Sequence, residues 1–368
     1  MKKVLIVFGT RPEAIKMCPI VSQLKRRGDI KCVVCVTGQH RQMLKQVLDC
    51  FQIIPDHDLQ IMKSGQTLSD ITERVMSGME ELLKREKPSI VLVHGDTSTT
   101  FATALSAFYQ QIPIGHVEAG LRTYDIYSPY PEEFNRRAVS IITTMHFAPT
   151  EHSRQNLLSE KVPEKDIFVT GNTAIDALRI TVRPDYTHEM LEWAKGSRLI
   201  MLTAHRRENL GQPLRSMFRA ICRIAQDFPD VKVIYPVHLN PEVRAAADEV
   251  LANHERIKLI EPLDVLDFHN FMAHAYIMMT DSGGIQEEAP FLGKPVLVMR
   301  NTTERPEGIS AGTLKMVGTD EEEIYKQASL LLRDKDEYNR MSTAANPYGD
   351  GYASERIIEH ILNREDIV

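Results

Sequence analysis

The 368-residue chain has only five cysteines, no apolar run long enough to cross a bilayer, and no block of charge of one sign. Each shortage removes a class of protein. A small, odd number of cysteines in a long chain argues against a disulfide-stapled secreted scaffold and for a reducing cytoplasm. Cys32 and Cys35 form a CxxC, but Val33, Val34 and Val36 make that stretch a buried strand. No second cysteine pair follows, so neither a redox nor a zinc reading is supported. Met1-Lys2-Lys3 before the apolar residues 4–8 resembles the start of a leader peptide, yet the run stops at Gly9 and is too short. The net charge of −6, with acids and bases interspersed, argues against nucleic acid as a partner and leaves room for a small anionic ligand. Neither a Gly-x-x-x-x-Gly-Lys-[Ser/Thr] loop nor a Gly-x-Gly-x-x-Gly after a strand occurs, which argues against phosphoryl transfer and a tightly held nicotinamide. Repeats of fixed period and low-complexity tracts are missing too.

What remains is an ordinary globular composition, 43% hydrophobic and 26% charged, at a length that suits two domains. Short apolar runs at 4–8, 32–36, 90–93, 114–117, 199–202, 231–235, 276–279 and 296–299 read as buried strands. Helical patterns lie between them, at 13–26, 68–84, 97–109, 214–226 and 320–332. Strands alternating with helices imply parallel sheets covered on both faces. The fold class expected is therefore α/β, with two Rossmann-like, doubly wound parallel-sheet domains facing across a cleft. The boundaries expected are 1–170 for the first domain and 171–347 for the second. The last segment, 348–368, carries a helix expected to pack back on the first domain.

The unusual polar residues fall just after strand ends, where open α/β sheets bind ligands. The stretch Thr280-Asp281-Ser282-Gly283-Gly284-Ile285-Gln286-Glu287-Glu288 is the most informative. A strand stops, the chain turns at two glycines, and a helix begins whose N-terminal N–H groups and dipole favour an anion. Glu288 lies one helical turn inside, on the face of Gly284, within reach of hydroxyls on whatever carries that anion. Three acids supply candidate chemistry. Asp96 follows the third strand and would act on substrate or cap the helix beginning at Thr97. Glu118 ends the fourth strand and needs a partner, for which Arg122 is one candidate. Glu132 opens a helix after Pro129-Tyr130-Pro131. Brought together, such acids suit proton transfer on a sugar or stabilisation of a cationic ring. His205, in His205-Arg206-Arg207-Glu208-Asn209, is the best acid/base histidine: surrounding positive charge favours its neutral form. His94 and His116 lack metal-ligand spacing, so no metal is expected.

Read together, these motifs are recognisable. Gly-Thr-Arg-Pro-Glu (9–13), His-Gly-Asp-Thr (94–97), His-Val-Glu-Ala-Gly-Leu-Arg-Thr (116–123) and Pro-Glu-Glu-x-Asn-Arg (131–136) resemble those of bacterial non-hydrolysing UDP-N-acetylglucosamine 2-epimerases. So do His-Arg-Arg-Glu-Asn (205–209), Asp-Ser-Gly-Gly-Ile-Gln-Glu-Glu-Ala-Pro (281–290), Thr-Thr-Glu-Arg-Pro-Glu (302–307) and Asn-Pro-Tyr-Gly-Asp-Gly (346–351). The resemblance implies a glycosyltransferase-B-like fold, a homodimer without membrane attachment, and interconversion of UDP-N-acetylglucosamine and UDP-N-acetylmannosamine without NAD, for cell-surface polysaccharide. It implies that Arg11, Lys16, Ser282, Gly283, Gly284, Glu288 and Arg305 hold the UDP part, with Phe268 and the backbone at Leu263 near uracil. It assigns the chemistry to Asp96, Glu118, Glu132 and His205. Gln39, Gln42, Glu132, Arg206 and His238 match a second, activating UDP-N-acetylglucosamine site. The rival readings are a UDP-sugar glycosyltransferase of the same fold and a hydrolysing epimerase.

Overall fold

In the computed structural model of the chain the described residues are 1–38, 41–63, 65–303 and 305–367, with backbone alone at 41–43. They form two units, Met1–Ile180 with Tyr348–Val368, and Thr181–Pro347.

Alternating Val, Ile and Leu in the first strand direct side chains to both faces of a sheet, and helices cover both. Unit 1 is a seven-stranded parallel sheet in the order β3-β2-β1-β4-β5-β6-β7. Its strands are β1 (Lys2–Phe8), β2 (Ile30–Val36), β3 (His57–Asp58), β4 (Ile90–His94), β5 (Ile114–Val117), β6 (Met145–Ala148) and β7 (Ile167–Val169). Between them run α1 (Arg11–Lys25), α2 (Arg41–Cys50), α3 (Leu68–Glu86), α4 (Ser98–Tyr109), α5 (Glu132–Ile142) and α6 (Glu151–Ser159). Leu5 and Val7 of β1 share a core with Val75, Met79 and Leu83 of α3 and Ala104 of α4. Val4, Ile6 and Phe8 alternate to the opposite face, where α1 packs with Met17, Ile20, Val21 and Leu24 buried.

The topology fixes where a ligand can sit. β1 is paired with β2 on one side and with β4 on the other, so the strand order reverses at β1/β4. The loops leaving β1 and β4 lie at that reversal, the place where open α/β sheets bind ligands.

Unit 2 repeats the arrangement with six parallel strands in the order β10-β9-β8-β11-β12-β13. They are β8 (Arg198–Thr203), β9 (Val231–Pro236), β10 (Ile257–Ile260), β11 (Ile277–Thr280), β12 (Val296–Val298) and β13 (Leu314–Met316). The chain enters this unit from α7 (Thr173–Thr181) and α8 (Glu189–Ala194). The strands alternate with α9 (Gln212–Asp227), α10 (Pro241–Leu251), α11 (Val265–His274), α12 (Gly283–Phe291), α13 (Pro306–Ala311) and α14 (Glu321–Arg333), and α15 (Lys335–Ser342) follows. Its core joins Ile200, Leu202, Val233, Ile277 and Met279 of the sheet to Phe218, Ile221, Val243 and Ile324 of the helices. Here the reversal lies between β8 and β11.

The two-sheet α/β fold expected from the pattern is the one formed. The boundary falls at Ile180/Thr181, later than the expected 170/171. The reason lies in Asp176 of α7, whose carboxylate accepts from the backbone N–H groups of Ala353 (3.2 Å) and Ser354 (2.7 Å). That caps the C-terminal helix (Ala353–Asn363) and ties α7 to the segment returning to unit 1. At its other end, Lys2 Nζ donates to the carbonyls of Ile361 and Leu362 (both 2.9 Å) and Arg364 (2.6 Å), which a helix C-terminus leaves unsatisfied. Among the described residues no helix is long and apolar enough to cross a membrane.

Candidate active site

Unit 1 gathers its acids at the carboxyl ends of the neighbouring strands β4 and β5. Glu118 directly follows β5 and adopts φ +65°, the left-handed region that side chains beyond Cβ rarely occupy. Such a backbone persists only where its surroundings over-determine it, and here they do. Lys16 of α1 ion-pairs with Oε2 of Glu118, and Asn172 Nδ2 donates to the same oxygen at 3.0 Å. His94 Nε2 stands 3.7 Å from it. Burial pushes the Glu118 carboxyl upward, but the charge of Lys16 and the imidazole of His94 outweigh that and hold it well below the usual carboxylate range. Glu118 is therefore a fixed carboxylate. Arg122, expected as a possible partner, instead clamps Glu160 with two bonds of 2.8 Å. Lys16, carried over as a UDP contact, lies against Glu118.

Asp96 does not cap α4. The cap is Thr97, whose hydroxyl accepts from Thr100 N–H at 3.1 Å. That leaves the Asp96 carboxylate to ion-pair with Arg136, while its carbonyl accepts from Asn135 Nδ2 at 2.9 Å. Asn135 and Arg136 lie one turn along α5 from Glu132, the first residue of that helix. Glu132 is half-buried, and its carboxylate has no hydrogen bond or ion pair among the described residues. Its neighbour Glu133 is fully buried and structural, accepting from the N–H groups of Thr123 and Tyr124 (both 3.1 Å) and pairing with Arg136. His116 donates from Nε2 to the Gly95 carbonyl at 2.7 Å. Burial lowers its pKa to about 3 and keeps it neutral, so it pins the 95–96 turn.

At the start of α1, Glu13 is buried and accepts from Gly9 N–H (3.0 Å), Thr10 N–H (2.7 Å) and the Thr97 hydroxyl (2.6 Å). One carboxylate thus joins the loops that follow β1 and β4, with Arg11 opening α1 beside it. Of the expected activator residues, Gln39 and the Gln42 side chain lie outside the described residues.

In unit 2 the turn after β11 opens α12 with Ser282 as its N-cap residue, and no side-chain cap bond forms there. The first turn of α12 also holds no acid, so its N–H groups remain available to an anion. A Cβ built on Gly283 would lie 2.6 Å from Nη1 of Arg305, so a side chain there would displace the guanidinium. Arg305 is held there by Glu287, whose Oε1 accepts from Nε at 2.6 Å. A Cβ on Gly284 would meet only Glu288 Oε1, at 3.7 Å, which puts Glu288 beside the open glycine as the helical spacing predicts. Glu288 Oε2 is 3.8 Å from Nε2 of the buried His269. Phe268 on α11 and Leu263 just before that helix are half-buried.

His205 follows β8 and faces a carboxylate as well as cations. Asp281, fully buried, accepts from the N–H groups of His205 and Arg206 (both 2.8 Å) and from Asn209 Nδ2 (3.2 Å), and its Oδ1 is 3.8 Å from His205 Nδ1. Burial lowers the His205 pKa; Asp281 opposes the shift, while His238 and Arg206 add to it. His238 is exposed and stacks on His205 with ring centres 5.1 Å apart. Sequence reasoning passed over Asp281, Glu13, Arg136 and Asn172 as organisers. Asp281 and Glu13 carried a readable signal, an acid at the end of an apolar strand or at the third residue of a capped helix.

A family model described as UDP-N-acetylglucosamine 2-epimerase matches residues 22–362. The chain belongs to the UDP-N-acetylglucosamine 2-epimerase family. It is 61% identical to the UDP-N-acetylglucosamine 2-epimerase of Bacillus subtilis strain 168, over 98% of this chain and 95% of that one. A crystal structure of the Neisseria meningitidis UDP-GlcNAc 2-epimerase bound to UDP-GlcNAc matches with a TM-score of 0.89 and 48% identity, over 98% of this chain and 100% of the other. The Methanocaldococcus jannaschii UDP-GlcNAc 2-epimerase, solved with UDP-GlcNAc and UDP, matches with a TM-score of 0.80 and 33% identity, over 99% and 100% of the two chains. The two α/β units are thus those of the glycosyltransferase-B-like epimerases.

In this epimerase-family chain the Lys16–Glu118 pair is largely buried. Removing one partner of a buried ion pair typically costs about 3–5 kcal/mol. Lys16→Met should therefore destabilise unit 1 by about 3 kcal/mol, since Asn172 still contacts the carboxylate, and adding Glu118→Gln should recover most of the loss. The depressed pKa of Glu118 means that its contribution is complete above the ordinary carboxylate range and is lost as pH falls through its folded value. Wild type should thus lose stability in acid more steeply than Glu118→Gln. Denaturant unfolding of the four proteins at neutral and acidic pH measures both effects; equal midpoints at neutral pH would count against the pair.

Proposed function

We propose that the chain interconverts UDP-N-acetylglucosamine and UDP-N-acetylmannosamine by elimination and re-addition of UDP, releases no free sugar, and uses neither NAD nor a metal. The observation that carries this reading is the fixed, ionised Glu118 beside the Arg136-held Asp96 at the ends of adjacent strands. The UDP-GlcNAc bound to the Neisseria relative supports the substrate.

The chemistry follows from the sugar. Its C2 hydrogen is not next to a carbonyl, so direct abstraction is prohibitively hard. Breaking the C1–O bond releases UDP, gives the ring cationic character and lets C2 lose its proton to a base. The C1=C2 double bond of 2-acetamidoglucal forms. In the return step a UDP oxygen attacks C1 and a proton is delivered to the opposite face of C2. The unit 1 carboxylates Asp96, Glu118 and Glu132 would stabilise the ring charge and take up and return the C2 proton, and His205 would serve as a neutral acid/base group. On unit 2, the α12 terminus with Ser282, Gly283 and Gly284 would take the departing diphosphate, assisted by Arg305. Glu288 would accept from ribose hydroxyls, and Phe268 with the backbone at Leu263 would contact uracil.

Two experiments test the reading. In deuterated water, without NAD or added metal, UDP-N-acetylglucosamine should convert to a mixture in which the product carries deuterium at C2. Full retention of the original hydrogen by NMR, or free N-acetylmannosamine as product, would rule out this route. For the nucleotide half, a hydrogen bond to a charged group is worth roughly 1.5–3 kcal/mol, so Glu288→Ala should weaken UDP binding about ten- to a hundredfold. Unchanged affinity by calorimetry would move the ribose elsewhere.

The chain is also proposed to act as a homodimer. Phe108 and Tyr109 of α4 and Phe134 and Ile141 of α5, two helices packed together, are exposed apolar side chains that a second copy would cover. Light scattering should give twice the chain mass; a monomer at micromolar concentration would refute this.

A further inference from the structure

Asn172 sits between β7 and α7, almost fully buried, and its polar groups are engaged in three directions. Its backbone N–H donates to the Tyr348 carbonyl at 2.7 Å. Its Oδ1 accepts from the Ala174 N–H at 3.0 Å, and its Nδ2 donates to Glu118 Oε2 at 3.0 Å. The Ala174 contact settles the amide orientation: the oxygen must face that N–H, so the NH2 group must face the carboxylate. Beside it the backbones of Gly171 (φ +90°) and Gly349 nearly touch, and a Cβ on Gly171 would lie 3.3 Å from the Gly349 Cα. The returning segment at Tyr348 and Gly349 therefore fixes the main chain of Asn172, and the side chain of Asn172 reaches Glu118.

Glu118 divides its two oxygens. Oε2 receives Lys16 and Asn172, with His94 at 3.7 Å, whereas Oε1 accepts no hydrogen bond among the described residues and faces the Gly95 turn, 3.7 Å from where a Cβ there would stand. Lysine supplies charge through a freely rotating ammonium, which gives little direction. A planar amide locked at its other end gives direction without neutralising the carboxylate.

We propose that Asn172 is a positioning residue, which holds Glu118 by one oxygen so that the other is presented to the sugar. The proposal rests on the reading that Glu118 acts on the sugar ring.

Asn172→Asp is the discriminating variant. It keeps an acceptor for the Ala174 N–H and replaces the donor facing Glu118 with a repelling oxygen. Turnover should fall about tenfold or more, the scale of a charged hydrogen bond, with KM for UDP-N-acetylglucosamine little changed. The groups facing Glu118 from the packed elements, Lys16 of α1 and His94 of β4, remain in place. Loss of a donor raises the Glu118 pKa, so the acid limb of the kcat profile should move to higher pH. Asn172→Ser, which also keeps a short acceptor but cannot reach Glu118, should give the same loss and covers a poorly folded Asp variant. Combined with Glu118→Gln, Asn172→Asp should have no further effect on turnover. Wild-type kcat and an unmoved acid limb in both Asn172 variants, with Glu118→Gln impaired, would overturn the positioning role alone. An equal loss in both backgrounds would overturn it too, making Asn172 scaffold. Wild-type turnover in Glu118→Gln would overturn the underlying reading of Glu118 and this inference with it.

Discussion

A carboxylate buried at the end of an apolar strand has to be compensated, and much of the local structure around the crevices is that compensation. Leaving such a charge unpaired costs several kcal/mol, a large part of the net stability of a typical domain. Glu118 is answered by Lys16 and Asn172, Asp281 by the N–H groups of His205 and Arg206, and Glu13 by those of Gly9 and Thr10. In each case the acid belongs to one element and its donors to another, or to a loop between two. Satisfying the charge therefore positions the loop. The 205–209 segment is held by Asp281, and the turn at Gly9 and Thr10 meets the start of α4 through Glu13.

The two units use one topology for opposite chemical ends. Each has its strand order reversed beside the first strand of its sheet, β1/β4 in one and β8/β11 in the other, and each opens a crevice there. Unit 1 lines its crevice with acids and the cations that hold them. Unit 2 lines its crevice with two glycines, a helix start without a cap, and an arginine held by Glu287. The first arrangement suits developing positive charge and the second suits developing negative charge.

The sheets were legible in the sequence because their central strands are continuous apolar runs, whose ends were misplaced by a residue or two. β3, β6, β10 and β13 were not; each has four residues or fewer, and His146, Lys258 and Lys315 interrupt the last three. His146 lies opposite His116 in the sheet, and burial keeps it neutral by lowering its pKa to about 4. The Gly-Gly turn, Glu288 and the acids at strand ends were readable for a physical reason: parallel strands deliver all their carboxyl ends to one edge. The partners of those acids were not readable. Arg122 is four residues from Glu118 and pairs elsewhere, while Lys16 and Asn172 are far away in sequence and converge on it. Likewise Asp96 sits where a helix cap would, yet Thr97 takes that role and frees it for Arg136.

Burial and backbone strain are consequently coupled at Glu118. A non-glycine residue in the left-handed region carries about 1–2 kcal/mol of strain, and here it directs a carboxylate into a crevice that water would otherwise solvate more cheaply. The compensating groups come from the start of α1, the end of β4 and the turn before α7, and that turn is itself held by the chain returning at Tyr348. The last residues of the chain thus bear on a charge set by the fifth strand. A substitution in this network does not weaken one contact alone. It also loosens the groups that hold a left-handed backbone at Glu118.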